Sequence, residues 1–273
     1  MPGLLDLALG FALSLAVAIA GWRRAALTAN GVVGAILVGT IVFAFGGLTW
    51  AAVVVAFFVL SSALSKVGES RKTRLNAVVE KRSQRDLGQV LANGGVAALL
   101  ALTAGIASPA AVFPAFLGAM AASTADTWST EIGVLSPAPP RSIRTARVVP
   151  PGTSGGVTAL GLLAALAGGL MIGIVAVLAK LVAPEVANVS AGRLLGIAMV
   201  SALAGSLADS LLGATVQSVY RCPRCALDTE QRVHRCGELT APSRGVRSVD
   251  NDLVNVLGSA VGAFAGLLVA WLT

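Results

Sequence analysis

Eight apolar stretches, most of them near the roughly 20 residues that a helix needs to cross a hydrocarbon core, decide what this chain can fold into. They cover approximately residues 4–21, 29–46, 48–66, 88–107, 109–131, 156–182, 192–218 and 251–271. Of the 273 residues 56% are hydrophobic and 12% charged, and mean hydropathy is +0.83, far from a soluble domain. The short alternating strands of a membrane barrel do not occur. The expectation is an all-α integral membrane protein, one polytopic domain over residues 1–273 with a bundle of about eight transmembrane helices. Small residues recur in the spans, among them Gly31, Gly34, Gly39, Gly161, Gly168, Gly169, Gly258, Gly262 and Gly266. They permit close helix approach, which in lipid replaces the hydrophobic drive of water.

Basic residues give the topology. All of the 20 Lys and Arg residues except Lys180 and Arg193 fall after the first span, between the third and fourth, between the fifth and sixth, or between the seventh and eighth. Eight spans put these segments on one side, which the positive-inside rule makes the cytoplasm; both termini then face outside. The first span is not a secretory signal, because Asp6 precedes its apolar part while Arg23 and Arg24 follow it. Nor is there plant-type chloroplast targeting, which points to a prokaryotic inner (plasma) membrane. The formal charge of +7 is therefore a topology signal and not a nucleic-acid footprint. The loops are 67–87, 136–155 and 219–250; the first is basic enough to meet anionic headgroups or a polyphosphate.

Against this map, Asn93, Asp126, Glu131, Asp209, Asn251, Asp252 and Asn255 interrupt or border apolar runs, and all fall toward the cytoplasmic leaflet. Asp126 and Asp209 stand late in long spans, where a charge costs several kcal/mol unless it meets water, a metal or a partner. They sit in a faint echo, Ser123-Thr124-Ala125-Asp126-Thr127 and Ser206-Leu207-Ala208-Asp209-Ser210, consistent with two related hairpins. Asp126 and Glu131 are five apart, so a straight helix splays them by about 140°. They converge only if the helix ends or bends between them; otherwise they serve different partners. Asn251 and Asp252 also suit a helix cap.

Two loop motifs follow. Gly152-Thr153-Ser154-Gly155-Gly156 directly precedes an apolar helix, and its backbone N–H groups and the helix dipole suit a phosphate; it lacks the Lys of a P-loop. Cys222, Cys225, His234 and Cys236 comprise every cysteine and the single histidine of the chain, four soft ligands that suit a structural metal such as zinc, although the His-x-Cys half is tighter than usual spacings and free thiols are the alternative.

In order, Gln89-Val90-Leu91-Ala92-Asn93-Gly94-Gly95, Ala125-Asp126-Thr127-Trp128-Ser129-Thr130-Glu131-Ile132-Gly133, Gly152–Val157, Ala208-Asp209-Ser210-Leu211-Leu212-Gly213-Ala214 and Asn251-Asp252-Leu253-Val254-Asn255 resemble the integral membrane family that includes plant and cyanobacterial phytyl-phosphate kinase. That resemblance implies a kinase that converts an isoprenyl monophosphate to its diphosphate, with a nucleoside triphosphate, preferentially CTP, as donor. On this reading Asp126 and Asp209 hold Mg²⁺, with Glu131 and Asp252 next. Asn93, Asn251 and Asn255 orient phosphates, while Lys81, Arg85, Arg144 and the 152–156 turn neutralise nucleotide and acceptor. The rival classes are a lipid transporter or flippase and a cytidylyltransferase acting on a lipid phosphate.

Overall fold

The computed structural model describes residues 2–67, 84–105, 109–181 and 189–273. Among them are eight long helices: α1 (Leu4–Arg23), α2 (Ala29–Gly46), α3 (Leu48–Lys66), α4 (Leu87–Ala104), α5 (Pro109–Gly133), α6 (Ala159–Ala179), α7 (Ala191–Thr215) and α8 (Asn251–Leu272). Seven are long and apolar enough to span a membrane, all but α5. The chain is a multi-pass membrane protein. Outward side chains such as Leu99, Leu163, Leu178, Phe264 and Trp271 are exposed, as a surface facing lipid requires.

Why α5 falls short is explained by its position. It packs against α3, α4, α6, α7 and α8, so neighbouring helices rather than lipid surround it. Phe113, Phe116, Leu117, Met120 and Ala125 are fully buried, and Trp50 of α3 stacks on Phe116 with ring centroids 4.2 Å apart. A helix so enclosed can carry hydroxyls. Thr124 Oγ1 donates to the Met120 carbonyl at 2.7 Å, and Ser129 Oγ to that of Asp126 at 2.9 Å, leaving few donors stranded in a dry environment.

Helix starts follow local chemistry. Thr28, Asp86, Thr158, Ser190 and Asp250 accept from backbone N–H groups of the first turns of α2, α4, α6, α7 and α8, satisfying donors that have no carbonyl partner. Asp250 is thus the cap of α8, one residue before the expected Asn251 and Asp252. The sixth span also starts later than expected, since Gly156–Val157 is a strand (β2) paired antiparallel with Arg141–Ser142 (β1), and the helix begins only after the Thr158 cap. The loop after α7 holds a second small sheet in the order β4-β3-β5, from β3 (Val219–Arg221), β4 (Asp228–Thr229) and β5 (Ala241–Arg244).

Contacts place the basic loops at one end of the bundle. Lys66 Nζ donates to the Arg24 carbonyl at 3.1 Å, Arg85 and residues 26–28 exchange backbone hydrogen bonds, Ser65 reaches Glu131, and Ser154 reaches Glu230.

Small residues set the helix spacing within the bundle. A Cβ on Gly262 of α8 would lie 2.6 Å from the Gly118 carbonyl of α5, and one on Gly205 of α7 would lie 2.9 Å from the Gly258 carbonyl of α8. The expected close approach is therefore physical, with backbone against backbone.

Candidate active site

At that end a cavity of about 590 Å³ opens between the C-terminal turns of α5 and α7, the start of α6 and the two sheet-bearing loops. α5 supplies Asp126 and Glu131, α7 supplies Asp209, α8 supplies Asn251, and the whole 152–156 turn forms one wall. Asp126 and Asp209 are half-buried, each in its Ser-x-Ala-Asp segment near the inner end of its helix. α5 continues unbroken to Gly133, and both Asp126 and Glu131 nonetheless line the one cavity. Glu131 Oε1 accepts from Ser65 Oγ of α3 at 2.7 Å.

The glycine-rich turn is seated rather than merely flexible. Gly155 has φ +79°, and a Cβ there would lie 2.6 Å from both Ala214 N and the Ser210 carbonyl. Only glycine gives both the left-handed backbone and that approach to α7. Arg244 Nη2 donates to the Ser154 carbonyl at 3.3 Å and Nη1 to that of Gly213 at 2.9 Å. Glu230 Oε1 accepts from Ser154 Oγ and from Gln217 Nε2, both at 2.8 Å. Turn, helix and loop are thus pinned together beside Asp209.

The remaining sequence candidates lie elsewhere. Asn93 is buried, donates to the Gln89 carbonyl at 2.9 Å and accepts at its own carbonyl from Ser123 Oγ at 3.0 Å. Asn255 is buried, with an Oδ1 that has no hydrogen-bond partner among the described residues. Asp252 faces the first turn of α4, where a Cβ on Gly88 would meet its Oδ2. None of these three lines the cavity, nor does the exposed Arg144. Lys81 lies outside the described residues.

Arg85 lines a second space, an apolar cleft of about 280 Å³ among α1 to α5 that also touches Leu13, Val42, Phe57, Met120, Gln89 and Asn93. Its guanidinium lies 5.5 Å from the Phe57 ring centroid and 5.8 Å from that of Phe58, and Nη1 donates to Ser62 Oγ at 2.8 Å. Burial pushes it down to about 10 while the Glu131 carboxylate pulls the other way. It stays cationic at neutral pH and is electrostatically joined to a wall of the polar cavity.

Among the lining residues that the sequence reading did not single out are Ser65, Glu230 and Arg235. The charged two lie in a loop rich in charges, where no single one stands out. Of the described lining residues, Asp126, Glu131, Asp209 and Glu230 are acidic and Arg235 alone is basic. So acid a cavity takes a polyphosphate only with cations between carboxylates and phosphate, and the all-oxygen donor set suits Mg²⁺.

The cysteines and histidine converge. Ligand atoms of Cys222, Cys225, His234 and Cys236 lie within 4.8 Å of one another, with Cys222 and Cys236 Sγ 3.6 Å apart and His234 Nδ1 3.2 Å from Cys236 Sγ. Burial pushes the Cys222 thiol up, but hydrogen bonds, first from the Cys225 backbone and then from Cys236, hold it below the ordinary value. Cys225, bonded to Cys236 and Cys222 as thiols, is pushed up to about 11. This Cys₃His group could hold a metal such as zinc.

A family model described as "Integral membrane protein DUF92" matches residues 12–263. Protein PGR of Arabidopsis thaliana is 35% identical over 269 residues, 92% of each chain. Uncharacterized membrane protein MJ0933 of Methanocaldococcus jannaschii is 31% identical over 240 residues, 88% of this chain and 84% of that one. Protein VTE6, chloroplastic, of Arabidopsis thaliana is 24% identical over 248 residues, covering 89% of this chain and 65% of that protein. No solved structure matches with significance.

Proposed function

The chain belongs to the DUF92 family of integral membrane proteins, and on that footing we propose that it is a prenyl-phosphate kinase, transferring the terminal phosphoryl group of a nucleoside triphosphate, CTP by preference, to an isoprenyl monophosphate such as phytyl phosphate. The observation that carries this reading is one cavity in which Asp126, Asp209 and Glu131 face a glycine-rich turn, beside an apolar cleft whose polar end is Arg85, Gln89 and Asn93. Phosphoryl transfer asks for alignment and charge neutralisation, with little covalent chemistry left to the protein.

Asp126 and Asp209 would hold Mg²⁺, which when bound neutralises the oxygens of the transferred phosphoryl group. In the 152–156 turn Thr153 N and Gly156 N donate to the Pro150 and Thr153 carbonyls, and the N–H groups of Gly152, Ser154 and Gly155 would serve the nucleotide phosphates. Asn251 and Glu131 complete the polar wall; Asn93, Asn255 and Asp252 support it from the α4–α5–α8 contact. Arg85, at the cleft's polar end, receives the acceptor phosphate while the prenyl tail lies among α1 to α5. Arg144 and, outside the described residues, Lys81 would add positive charge toward nucleotide and acceptor. The acceptor's phosphate oxygen attacks the γ-phosphorus, the bond from that phosphorus to the bridging oxygen breaks, and the nucleoside diphosphate leaves with that oxygen.

The excess of Lys and Arg in the loops supports a site at the cytoplasmic leaflet of a cell membrane, with both termini outside. The Cys₃His group is a structural zinc site. Concentration of the carboxylates at one end of the bundle favours an enzyme over a transporter, which needs its polar groups near the midplane or on both sides. The experiment is an assay of purified protein with a panel of prenyl monophosphates and nucleoside triphosphates, following Mg²⁺-dependent nucleoside diphosphate release. Release that requires the prenyl phosphate supports the proposal; its absence across the panel overturns it.

A further inference from the structure

Each half of the Cys₃His segment closes on a turn, over five residues in the first and four in the second. Cys222 to Cys225 turns back so that Ala226 N donates to the Cys222 carbonyl at 2.9 Å, and His234 to Cys236 turns back so that Gly237 N donates to the His234 carbonyl at 2.8 Å. Each half ends on a left-handed residue, Ala226 at φ 54° and Gly237 at φ 82°. A left-handed alanine is disfavoured; Ala226 directly follows Cys225 as Gly237 follows Cys236, so a turn closes behind each pair of ligands. The Cys225 N–H lies 3.4 Å from Cys222 Sγ, the kind of donor that stabilises a metal-bound thiolate.

Between the two ligands of the second half sits Arg235, the one basic side chain among the described residues lining the polar cavity. Between the two halves sits Glu230, bonded to Ser154 of the glycine-rich turn. We propose that Cys222, Cys225, His234 and Cys236 bind one tetrahedral Zn²⁺, and that this ion acts by fixing Arg235 at the cavity as the protein's cation for a diphosphate group. The proposal rests on reading the cavity as a phosphate site. Arg235 is exposed and belongs to a loop of short strands, so a metal clamping the residues on both its sides removes backbone freedom that phosphate binding would otherwise have to remove.

A different task for Arg235 is conceivable: three thiolates and a neutral imidazole around Zn²⁺ leave one net negative charge, which a neighbouring guanidinium would offset. That task would not move anion affinity, so the test reads anion affinity. Metal content and the affinity for inorganic pyrophosphate in Mg²⁺ buffer are measured on the purified full chain. The proteins are wild type, Arg235→Gln, Arg235→Lys, Cys225→Ser and the Arg235→Gln/Cys225→Ser double variant. Expected are one zinc per chain in wild type and in both Arg235 variants, a loss of affinity of roughly tenfold or more in Arg235→Gln, partial retention in Arg235→Lys, and a similar loss in Cys225→Ser. The double variant should lose no more than either single one, because both remove the same contact.

Wild type stripped of zinc by dialysis, then reloaded, repeats the comparison without a substitution should Cys225→Ser fold poorly. Absence of stoichiometric zinc, unchanged pyrophosphate affinity in Arg235→Gln, or additive losses in the double variant would overturn the proposal. Zinc- and Arg235-dependent pyrophosphate binding without phosphoryl transfer to any prenyl phosphate would leave this inference standing and remove the kinase reading. Transfer activity with undiminished affinity in Arg235→Gln would do the reverse.

Discussion

Asp126 directly follows the fully buried Ala125, and Asp209 stands three residues beyond the buried Ser206, both as half-buried carboxylates at the cavity wall. If both hold Mg²⁺, Asp126→Asn and Asp209→Asn should each cut Mg²⁺-dependent transfer by roughly a hundredfold or more, with thermal unfolding in detergent unchanged; full activity in both would remove the metal assignment. Gly155→Ala meets a different obstacle, a left-handed φ and contact with α7, and should cost about 1–3 kcal/mol or displace the turn. Thermal denaturation together with the KM for nucleotide will show which. The two aspartates were legible in the sequence because a charge late in an apolar run is conspicuous. Glu230 and Arg235 were not, since what distinguishes them is the fold bringing their loop against Ser154 and the cavity.

At the scale of elements, the eight spans were readable because hydrophobicity over about 20 residues is a strong signal, and the helices start and stop within a few residues of the expected boundaries. The departures have local causes. Gly156 and Val157 pair with Arg141 and Ser142 instead of entering α6, and Asp250 caps α8 because its side chain reaches Leu253 N at 2.9 Å. The central role of α5 was not legible: its lower apolarity looks like weakness in sequence and becomes intelligible only once five helices enclose it. Helix spacing carries its own prediction. Gly262→Ala, which brings a Cβ to 2.6 Å from the Gly118 carbonyl, should destabilise by about 1–3 kcal/mol, whereas Gly196→Ala, with nothing within 4 Å, should leave the melting temperature unchanged or slightly raised. Equal melting temperatures for the two would contradict backbone-to-backbone packing of α5 on α8.

For the whole molecule, the basic loops gather at one end, and the polar cavity lies there with the Cys₃His group beside it. On the proposed orientation, with that end in the cytoplasm, a reporter fused to either terminus should register outside the cell, and a cysteine introduced at Arg144 should be labelled by an impermeant thiol reagent only after lysis. Labelling of intact cells at that position would invert the topology. The central claim is tested most directly by product analysis with CTP labelled at either the α- or the γ-phosphorus, purified protein, Mg²⁺ and phytyl phosphate. The account predicts that γ-label passes to the lipid, that α-label stays in released CDP, and that both lipid labelling and CDP release vanish in Asp126→Asn and Asp209→Asn. Lipid carrying the α-label with release of pyrophosphate, or no lipid labelling from either nucleotide, would contradict it.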